Sequence, residues 1–280
     1  FTEPPCVISK HTPPGGVASG KTLREAYVQA FATASKSAFG GIVAVNRKLD
    51  NEAARSIDRV FTEVIIAPEY DAGTLEFLKK KKDRRLMVQV KPLRDEVGLS
   101  VRSVAGGVLV QTPDSITLGE KEPTVVTKRA PTEAERKALD FAWKIAKHVK
   151  SNAIVYTTAD RTIGVGAGQM SRFDSSRIAV MKAGDAGLDL KKTAVASDAF
   201  FPFADGLLEA VKAGATAVIQ PGGSMRDEEV IKAADDNDIA NRAGRMPASL
   251  TYTARDALRW ATIHGAEACG LDDRIGSLVP

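Results

Sequence analysis

Cysteine and histidine are scarce in this chain, whose 280 residues hold two cysteines and three histidines. Cys6 and Cys269 lie far apart, and neither a Cys-x-x-Cys nor a His-x-His spacing occurs. A disulfide framework needs paired cysteines and a zinc site needs closely spaced ligands. The sequence therefore predicts two buried, unpaired cysteines and no bound metal.

Long apolar runs are missing as well. No stretch approaches the roughly 18 consecutive apolar residues that span a membrane, and the first residues lack the charged and apolar regions of a secretion signal. The net charge of +4 and the pI of about 9.0 are mildly basic, which suits an anionic small ligand and does not require nucleic acid. We therefore expect a cytoplasmic protein that binds neither membranes nor nucleic acids.

The hydrophobic pattern predicts an α/β fold with mixed sheets flanked by helices, because short apolar segments alternate with amphipathic ones. We predict that the chain divides into a first subdomain at 1–118, a polar, proline-bearing linker at 119–131 and a second subdomain at 132–245. Capping patterns begin helices at Thr22, Asp50 and Thr132. We predict strands at 6–9, 42–45, 64–67, 86–90, 108–111, 153–157, 195–197 and 215–220, and helices at 22–36, 50–60, 132–150, 171–182, 205–212 and 227–234.

Several sequence blocks point to one family. They are Lys10-His11, Ala38-Phe-Gly-Gly41, Glu63-Val-Ile-Ile-Ala-Pro68, Ser151-Asn152, Gly166-Ala-Gly-Gln-Met-Ser-Arg172, Ser197-Asp-Ala-Phe-Phe-Pro-Phe-Ala-Asp-Gly206 and Ala215-Thr-Ala-Val-Ile-Gln-Pro-Gly-Gly-Ser224. In their order and spacing, residues 1 to about 240 closely resemble the AICAR transformylase half of the bifunctional AICAR transformylase/IMP cyclohydrolase. The resemblance implies two similar subdomains of cytidine-deaminase-like architecture, a homodimer, and formyl transfer from 10-formyltetrahydrofolate to AICAR in purine biosynthesis.

The candidate catalytic residues are Lys10, His11 and Asn152. Lys10 and His11 follow a predicted strand and run into a Pro/Gly turn, a place where α/β proteins present ligand-contacting side chains; a solvated loop fits the same residues. Asn152 also fits the C-terminal cap of a helix. The resemblance implies that His11 accepts or relays a proton, Lys10 stabilises charge and Asn152 donates to the formyl oxygen.

The resemblance also assigns the substrate-binding residues. It places Phe39, Gly40 and Glu63 near the nucleotide, and it pairs Arg172 with substrate where the pattern alone allows an exposed helix arginine. It assigns Phe200 and Pro202 to the wall of the folate site and Asp205 to polar contacts with the folate. The aromatic run at 200–203 fits core packing equally.

Two glycine-rich segments remain to be assigned. The glycines at 164–168 have the spacing G-x-G-x-G, which is not a dinucleotide-binding fingerprint, and we predict a turn there. We also predict a structural turn at 221–224, because the three acidic residues at 227–229 would repel a phosphate at the helix N-terminus.

The chain departs from the family at several points. Pro13, Pro14 and Gly15 replace the usual turn residues, Ala204 stands where the family has arginine, and 241–245 gives no strand signal. Residues 246–280 resemble the C-terminal segment of metal-dependent amidohydrolases, although we find no metal ligands for a zinc hydrolase. We expect a fragment or chimera without the cyclohydrolase half. The alternative to an active transformylase is an inactive, dimerising remnant that binds nucleotide.

Overall fold

The computed structural model describes residues 1, 3–89, 99–112 and 123–244, and it confirms a mixed α/β fold with sheets flanked by helices. No helix in these ranges is long and apolar enough to cross a membrane. The helices are α1 (Leu23–Ala34), α2 (Asn51–Asp58), α3 (Ala72–Lys79), α4 (Glu133–Ala146), α5 (Arg172–Asp185), α6 (Asp205–Lys212) and α7 (Asp227–Asp236).

The strands form two large sheets and one hairpin. The strands are β1 (Pro5–Ser9), β2 (Pro14–Ser19), β3 (Gly41–Val45), β4 (Thr62–Ala67), β5 (Arg85–Val88), β6 (Ser100–Val104), β7 (Gly107–Gln111), β8 (Thr124–Val125), β9 (Ile154–Thr157), β10 (Thr162–Gly166), β11 (Ala194–Ser197), β12 (Ala217–Pro221) and β13 (Ala240–Gly244). The first sheet has the order β2-β1-β3-β4-β5 and the second β10-β9-β11-β12-β13-β8. Both belong to one compact unit, whereas the β6–β7 hairpin belongs to a second.

Local capping chemistry places the helices where the sequence predicts them. The hydroxyl of Thr22 accepts from the backbone N–H of Glu25, and the Asp50 carboxylate accepts from Ala53 in the same way at α2. Thr132 and Glu135 form a complete capping box at α4. These contacts satisfy N–H groups that the first helical turn leaves unpaired.

Five of the strands were not predicted from the sequence: β2, β6, β8, β10 and β13. The predicted Pro/Gly turn is shorter, because β2 begins at Pro14 and pairs with β1. At Gly16 a Cβ atom would lie 2.1 Å from the backbone oxygen of Ala30, so this glycine permits close packing of α1 on β2. Residues 240–244 also form a strand, β13, which pairs with β12 on one side and β8 on the other. Backbone pairing on both sides outweighs its weak β-propensity.

The stretch at 119–131 is anchored at its C-terminal end. Its β8 joins the second sheet, and Arg129 forms a two-pronged ion pair with Glu135 at 2.9 and 3.0 Å. Arg129 also donates to the backbone oxygen of Thr216. Burial raises the pKa of Glu135, but hydrogen bonds from Arg129 and Thr132 outweigh it and lower the pKa to about 2.

A hydrogen-bonded junction joins the two sheets between β2 and β10. The buried hydroxyl of Thr162 accepts a hydrogen bond from the N–H of Val17 at 3.0 Å and donates one to the carbonyl oxygen of Val17 at 3.2 Å. Ala18 and Arg161 form an antiparallel bridge, and Ser19 donates to Asp160. Because this register is antiparallel, the amino end of β2 and the carboxyl end of β10 lie at the same edge.

We expect Thr162→Val to lower the free energy of unfolding by about 1–3 kcal/mol, because it keeps the side-chain shape and leaves the buried Val17 N–H without its acceptor. Thr74→Val is the matched control, since the Thr74 hydroxyl is buried and has no hydrogen-bond partner among the described residues. Urea denaturation measures both; equal effects would show that the Thr162 hydroxyl does not join the sheets.

The Arg129–Glu135 pair predicts a pH effect. A carboxyl group whose pKa is lower in the folded state stabilises the fold above its unfolded pKa of about 4.5, and this contribution disappears as the pH falls toward 2. We expect Glu135→Gln to cost about 1–3 kcal/mol at pH 7 and to flatten the dependence of unfolding free energy on pH below 4.5.

The control for this prediction lies in the same helical turn. Glu133 is exposed and pairs with Arg136 three residues along, so Glu133→Gln should leave the stability almost unchanged. Thermal unfolding scans from pH 2 to 7 test the comparison. A steep acid branch that persists in Glu135→Gln would contradict the assignment.

Candidate functional site

The predicted site residues of the first sheet gather at the edge where β1 ends and β3 begins. The Lys10 ammonium donates to the backbone oxygen of Phe39 at 2.5 Å. Gly40 has a left-handed φ of 64°, and a Cβ atom there would lie 3.2 Å from Lys10 Nζ. His11 is exposed and also left-handed, with a φ of 57°. The fold thus brings Lys10, Phe39 and Gly40 into contact, with His11 beside them.

Phe39 and Glu63 extend this group along the same edge. The Phe39 ring is 67% exposed and packs on Phe61, with 5.6 Å between the ring centroids. Glu63 lies two residues beyond Phe61 in β4 and pairs with Arg85 at 3.1 Å. Phe61, Glu63 and Arg85 line an open pocket with Lys82 and Asp83. The Glu63 carboxylate therefore already has a cationic partner.

Arg172 is the centre of a second group, at the edge where β10 and β11 end and β9 begins. Its guanidinium donates from Nη1 to Asn152 Oδ1 at 2.7 Å and from Nη2 to Asp198 Oδ1 at 3.2 Å. Nε lies 3.0 Å from Ser197 Oγ and 3.2 Å from the backbone oxygen of Ala199. The side chain is only 12% exposed, so Arg172 is not an exposed helix arginine.

The charge balance at Arg172 follows from this burial. Desolvation lowers the pKa of Arg172, and the Asp198 carboxylate opposes that shift. A buried cation without a partner is costly, and the carboxylate offsets much of that cost. Asp198 and Ser197 lie in the block at 197–206 but were not predicted as site residues.

Asn152 is held from both sides. Its side-chain Nδ2 donates to the backbone oxygen of Gln169 at 2.9 Å while its Oδ1 accepts from Arg172. Ser175 donates to its backbone oxygen at 2.7 Å. Helix α4 ends at Ala146 with Lys147 as its cap, so Asn152 does not cap that helix. The carboxamide has one fixed orientation at the edge.

The aromatic run after β11 divides between core and surface. Phe201 is buried at 1% exposure, which fits the core-packing alternative, whereas Phe200 and Phe203 are 39% and 48% exposed. Pro202 and Asp205 are exposed, and the Asp205 carboxylate accepts from the N–H of Gly206. The three predicted folate-side residues therefore reach the surface, although Phe201 between them does not.

Arg226 joins this surface from the loop after β12, with its guanidinium carbon 4.7 Å from the centre of the Phe203 ring. The sequence predicts a structural turn at 221–224; in the structure Pro221 ends β12 and the loop follows it. The Asp227 carboxylate accepts from the N–H groups of Gly223 and Ser224 at 2.6 and 3.1 Å. A side chain therefore occupies the amides that an anion would use.

The predicted glycine turn at 164–168 is largely a strand. Gly164 and Gly166 lie in β10, where Cβ atoms would meet the backbone oxygens of Ala179 and Ser175 at 2.6 and 1.8 Å. These glycines let α5 pack directly on β10, which a composition-based turn prediction cannot detect. Only Gly168, with a φ of 69°, lies in the loop that follows.

Comparison with known proteins identifies the family. The family described as AICARFT/IMPCHase bienzyme matches residues 1–182. The chain belongs to this family. The bifunctional purine biosynthesis protein PurH of Chlorobium phaeobacteroides (strain BS1) is 60% identical over 237 residues, which cover 85% of this chain and 45% of that protein. The resemblance stated from the sequence blocks is confirmed.

A second relative matches to a similar extent. PurH of Chloroflexus aurantiacus (strain ATCC 29366 / DSM 635 / J-10-fl) is 58% identical over 228 residues, which cover 81% of this chain and 44% of that protein. The chain thus spans less than half the length of these relatives. Among solved structures, Acinetobacter baumannii RibD is 15% identical over 30% of this chain and 28% of that chain, with a TM-score of 0.27.

Within the described ranges, no group of three or more histidine, cysteine, aspartate or glutamate side chains is arranged to hold a metal ion. The residues proposed for the amidohydrolase-like tail, 246–280, lie outside the described part of the chain.

The packing of α5 on β10 leads to a stability prediction. We expect Gly166→Ala to destabilise the fold by about 1–3 kcal/mol or more, because the added methyl group must displace the α5 backbone. The control is Gly184, which lies within α5 and where an added Cβ atom would meet no atom within 4 Å. Gly184→Ala should stabilise the fold by about 0.5–1 kcal/mol. Thermal denaturation compares them; a neutral Gly166→Ala would contradict the close packing.

Proposed function

We propose that this chain carries the formyl-transfer reaction of its family, from 10-formyltetrahydrofolate to the exocyclic amine of AICAR. The observation that carries the proposal is the shared edge of the two sheets. The β2–β10 register directs the Lys10–His11 loop and the Asn152–Arg172 group to one edge of one compact unit. The substrates in this proposal are taken from the family to which the chain belongs.

The reaction sets two requirements. The exocyclic amine of AICAR is a poor nucleophile because its lone pair is delocalised into the imidazole ring. Attack on the formyl carbon must therefore be coupled to loss of a proton, and the negative charge that develops on the formyl oxygen must be stabilised. The site therefore needs a group that accepts a proton at neutral pH and hydrogen-bond donors held in fixed positions.

His11 fits the base. A neutral imidazole nitrogen can accept a proton, and the His11 ring is exposed at the edge rather than buried in the core. Lys10 provides positive charge next to it and is oriented by its bond to Phe39. We assign His11 as proton acceptor or relay and Lys10 as the electrostatic stabiliser and proton source for the departing folate nitrogen.

Asn152 fits the donor to the formyl oxygen. Its Nδ2 carries two N–H groups, of which one is directed at Gln169. The other can reach a ligand oxygen. The contact from Arg172 to Oδ1 polarises the carboxamide and strengthens its N–H donors, so the observed network prepares the amide for this role.

The remaining candidates divide between the two substrates. We assign Phe39, Gly40 and Glu63 to the nucleotide. We assign Phe200, Pro202 and Asp205 to the folate co-substrate, because exposed aromatic surface and a carboxylate suit a flat ring with N–H donors. Arg172 contributes both a substrate contact and the orientation of Asn152. By resemblance, we also propose that the protein is a cytoplasmic homodimer.

The test is release of tetrahydrofolate by the purified chain with AICAR and 10-formyltetrahydrofolate. We expect His11→Ala to lower kcat by about 10²- to 10⁴-fold, the usual contribution of a general base. Thr12→Ala, an exposed neighbour in the same loop, should leave kcat unchanged.

Two results would contradict the proposal. Full turnover by His11→Ala would remove the base from the mechanism. Absence of turnover in the folded, unsubstituted chain would favour the alternative of an inactive remnant that binds nucleotide.

A further inference from the structure

We infer that Asp198 is a positioning residue that orients Asn152 for the proposed reaction. The inference rests on the proposed function for the role of Asn152, and on contacts in the structure for the role of Asp198. A single carboxylate oxygen, Oδ1, accepts from the backbone N–H of Ala153 at 2.8 Å and from Arg172 Nη2 at 3.2 Å.

These two contacts hold Asn152 from two directions. Ala153 is the residue directly after Asn152, so its bond to Asp198 fixes the backbone there. Arg172 is the group that holds Asn152 Oδ1 at 2.7 Å, so the second bond fixes the side chain. The N–H of Asp198 donates in turn to the Ala153 oxygen at 3.3 Å. The segment at 152–153 is thereby joined to the segment at 197–199.

The charge of Asp198 is as important as its shape. The Asp198 and Arg172 side chains are 15% and 12% exposed. Among the described residues, the Asp198 carboxylate is the anionic partner of this guanidinium, whereas Ser197 Oγ, the Ala199 oxygen and Asn152 Oδ1 are neutral acceptors. Charge-assisted bonds are shorter and stronger than neutral ones. A neutral residue at this position would weaken the hold on Arg172 and so on Asn152.

The consequence for catalysis is geometric. A donor that stabilises a developing charge must lie within about 3 Å of the reacting oxygen, and an error of about 1 Å in position can cost on the order of 100-fold in rate. Asp198 does not reach the substrate in this scheme. It acts through Asn152, so its removal should lower kcat more than it weakens substrate binding.

The first experiment measures steady-state kinetics of Asp198→Asn, which keeps the shape and an acceptor oxygen but removes the charge. We expect kcat to fall by about 10- to 100-fold, and KM for the substrate that contacts Arg172 to change by a smaller factor. Asp58→Asn is the matched control. It removes the carboxylate partner of another buried arginine, Arg84, at 2.8 Å, and should leave kcat unchanged.

A double-substitution cycle separates positioning from a general structural effect. If Asp198 acts through Asn152, Asp198→Asn should have almost no effect on kcat in the Asn152→Ala background. An equal loss in both backgrounds would overturn the inference, as would a rise in KM with kcat unchanged.

The second experiment does not require activity. The side-chain amide of Asn152, assigned by its loss in Asn152→Ala, is followed by ¹⁵N NMR in the full chain. We expect its resonances to shift and broaden in Asp198→Asn and to stay unchanged in Asp58→Asn. Unchanged resonances in Asp198→Asn would overturn the inference even if the enzyme turns over. Lack of turnover in the unsubstituted chain would count against the proposed function alone.

Discussion

The contact between Thr162 and Val17 is the constraint on which the candidate site depends. One buried hydroxyl bonds to the N–H and approaches the carbonyl oxygen of a residue in the other sheet, and Thr33 adds a bond to the Thr162 backbone oxygen at 2.5 Å. The junction is specific because it sets register as well as proximity. A slip of one residue would direct a different set of side chains to each face and would displace the Lys10–His11 loop from the edge that holds Asn152.

Close helix packing repeats on both sides of this junction. Helix α1 lies on β2 through Gly16 against Ala30, and α5 lies on β10 through Gly164 and Gly166. In each case a missing side chain lets a helix backbone touch a strand. Such contact fixes the height of α5 above the sheet. Because Arg172 is the first residue of α5, its guanidinium reaches the edge only if the helix stays that close.

Much of the fold could be predicted because its signals are local. Caps at Thr22, Asp50 and Thr132 depend on residues three positions apart, and α6 has the predicted bounds. The strands β2, β6, β8, β10 and β13 were not predicted. Glycine, proline and polar residues in β2, β10 and β13 give no strand pattern, and the pairing partners of these three strands come from elsewhere in the chain. The site residues were chosen by resemblance; their contacts, such as Lys10 with Phe39, depend on loops meeting in three dimensions.

Arg172 shows why an arginine suits the centre of this hydrogen-bond network. A guanidinium has five N–H donors in a rigid plane. Among the described residues, Nε is shared by Ser197 and Ala199, one Nη1 proton goes to Asn152 and one Nη2 proton to Asp198. These bonds use three of the five N–H groups. A lysine has three donors around one atom and could not hold Asn152, Asp198 and Ser197 in the same fixed directions.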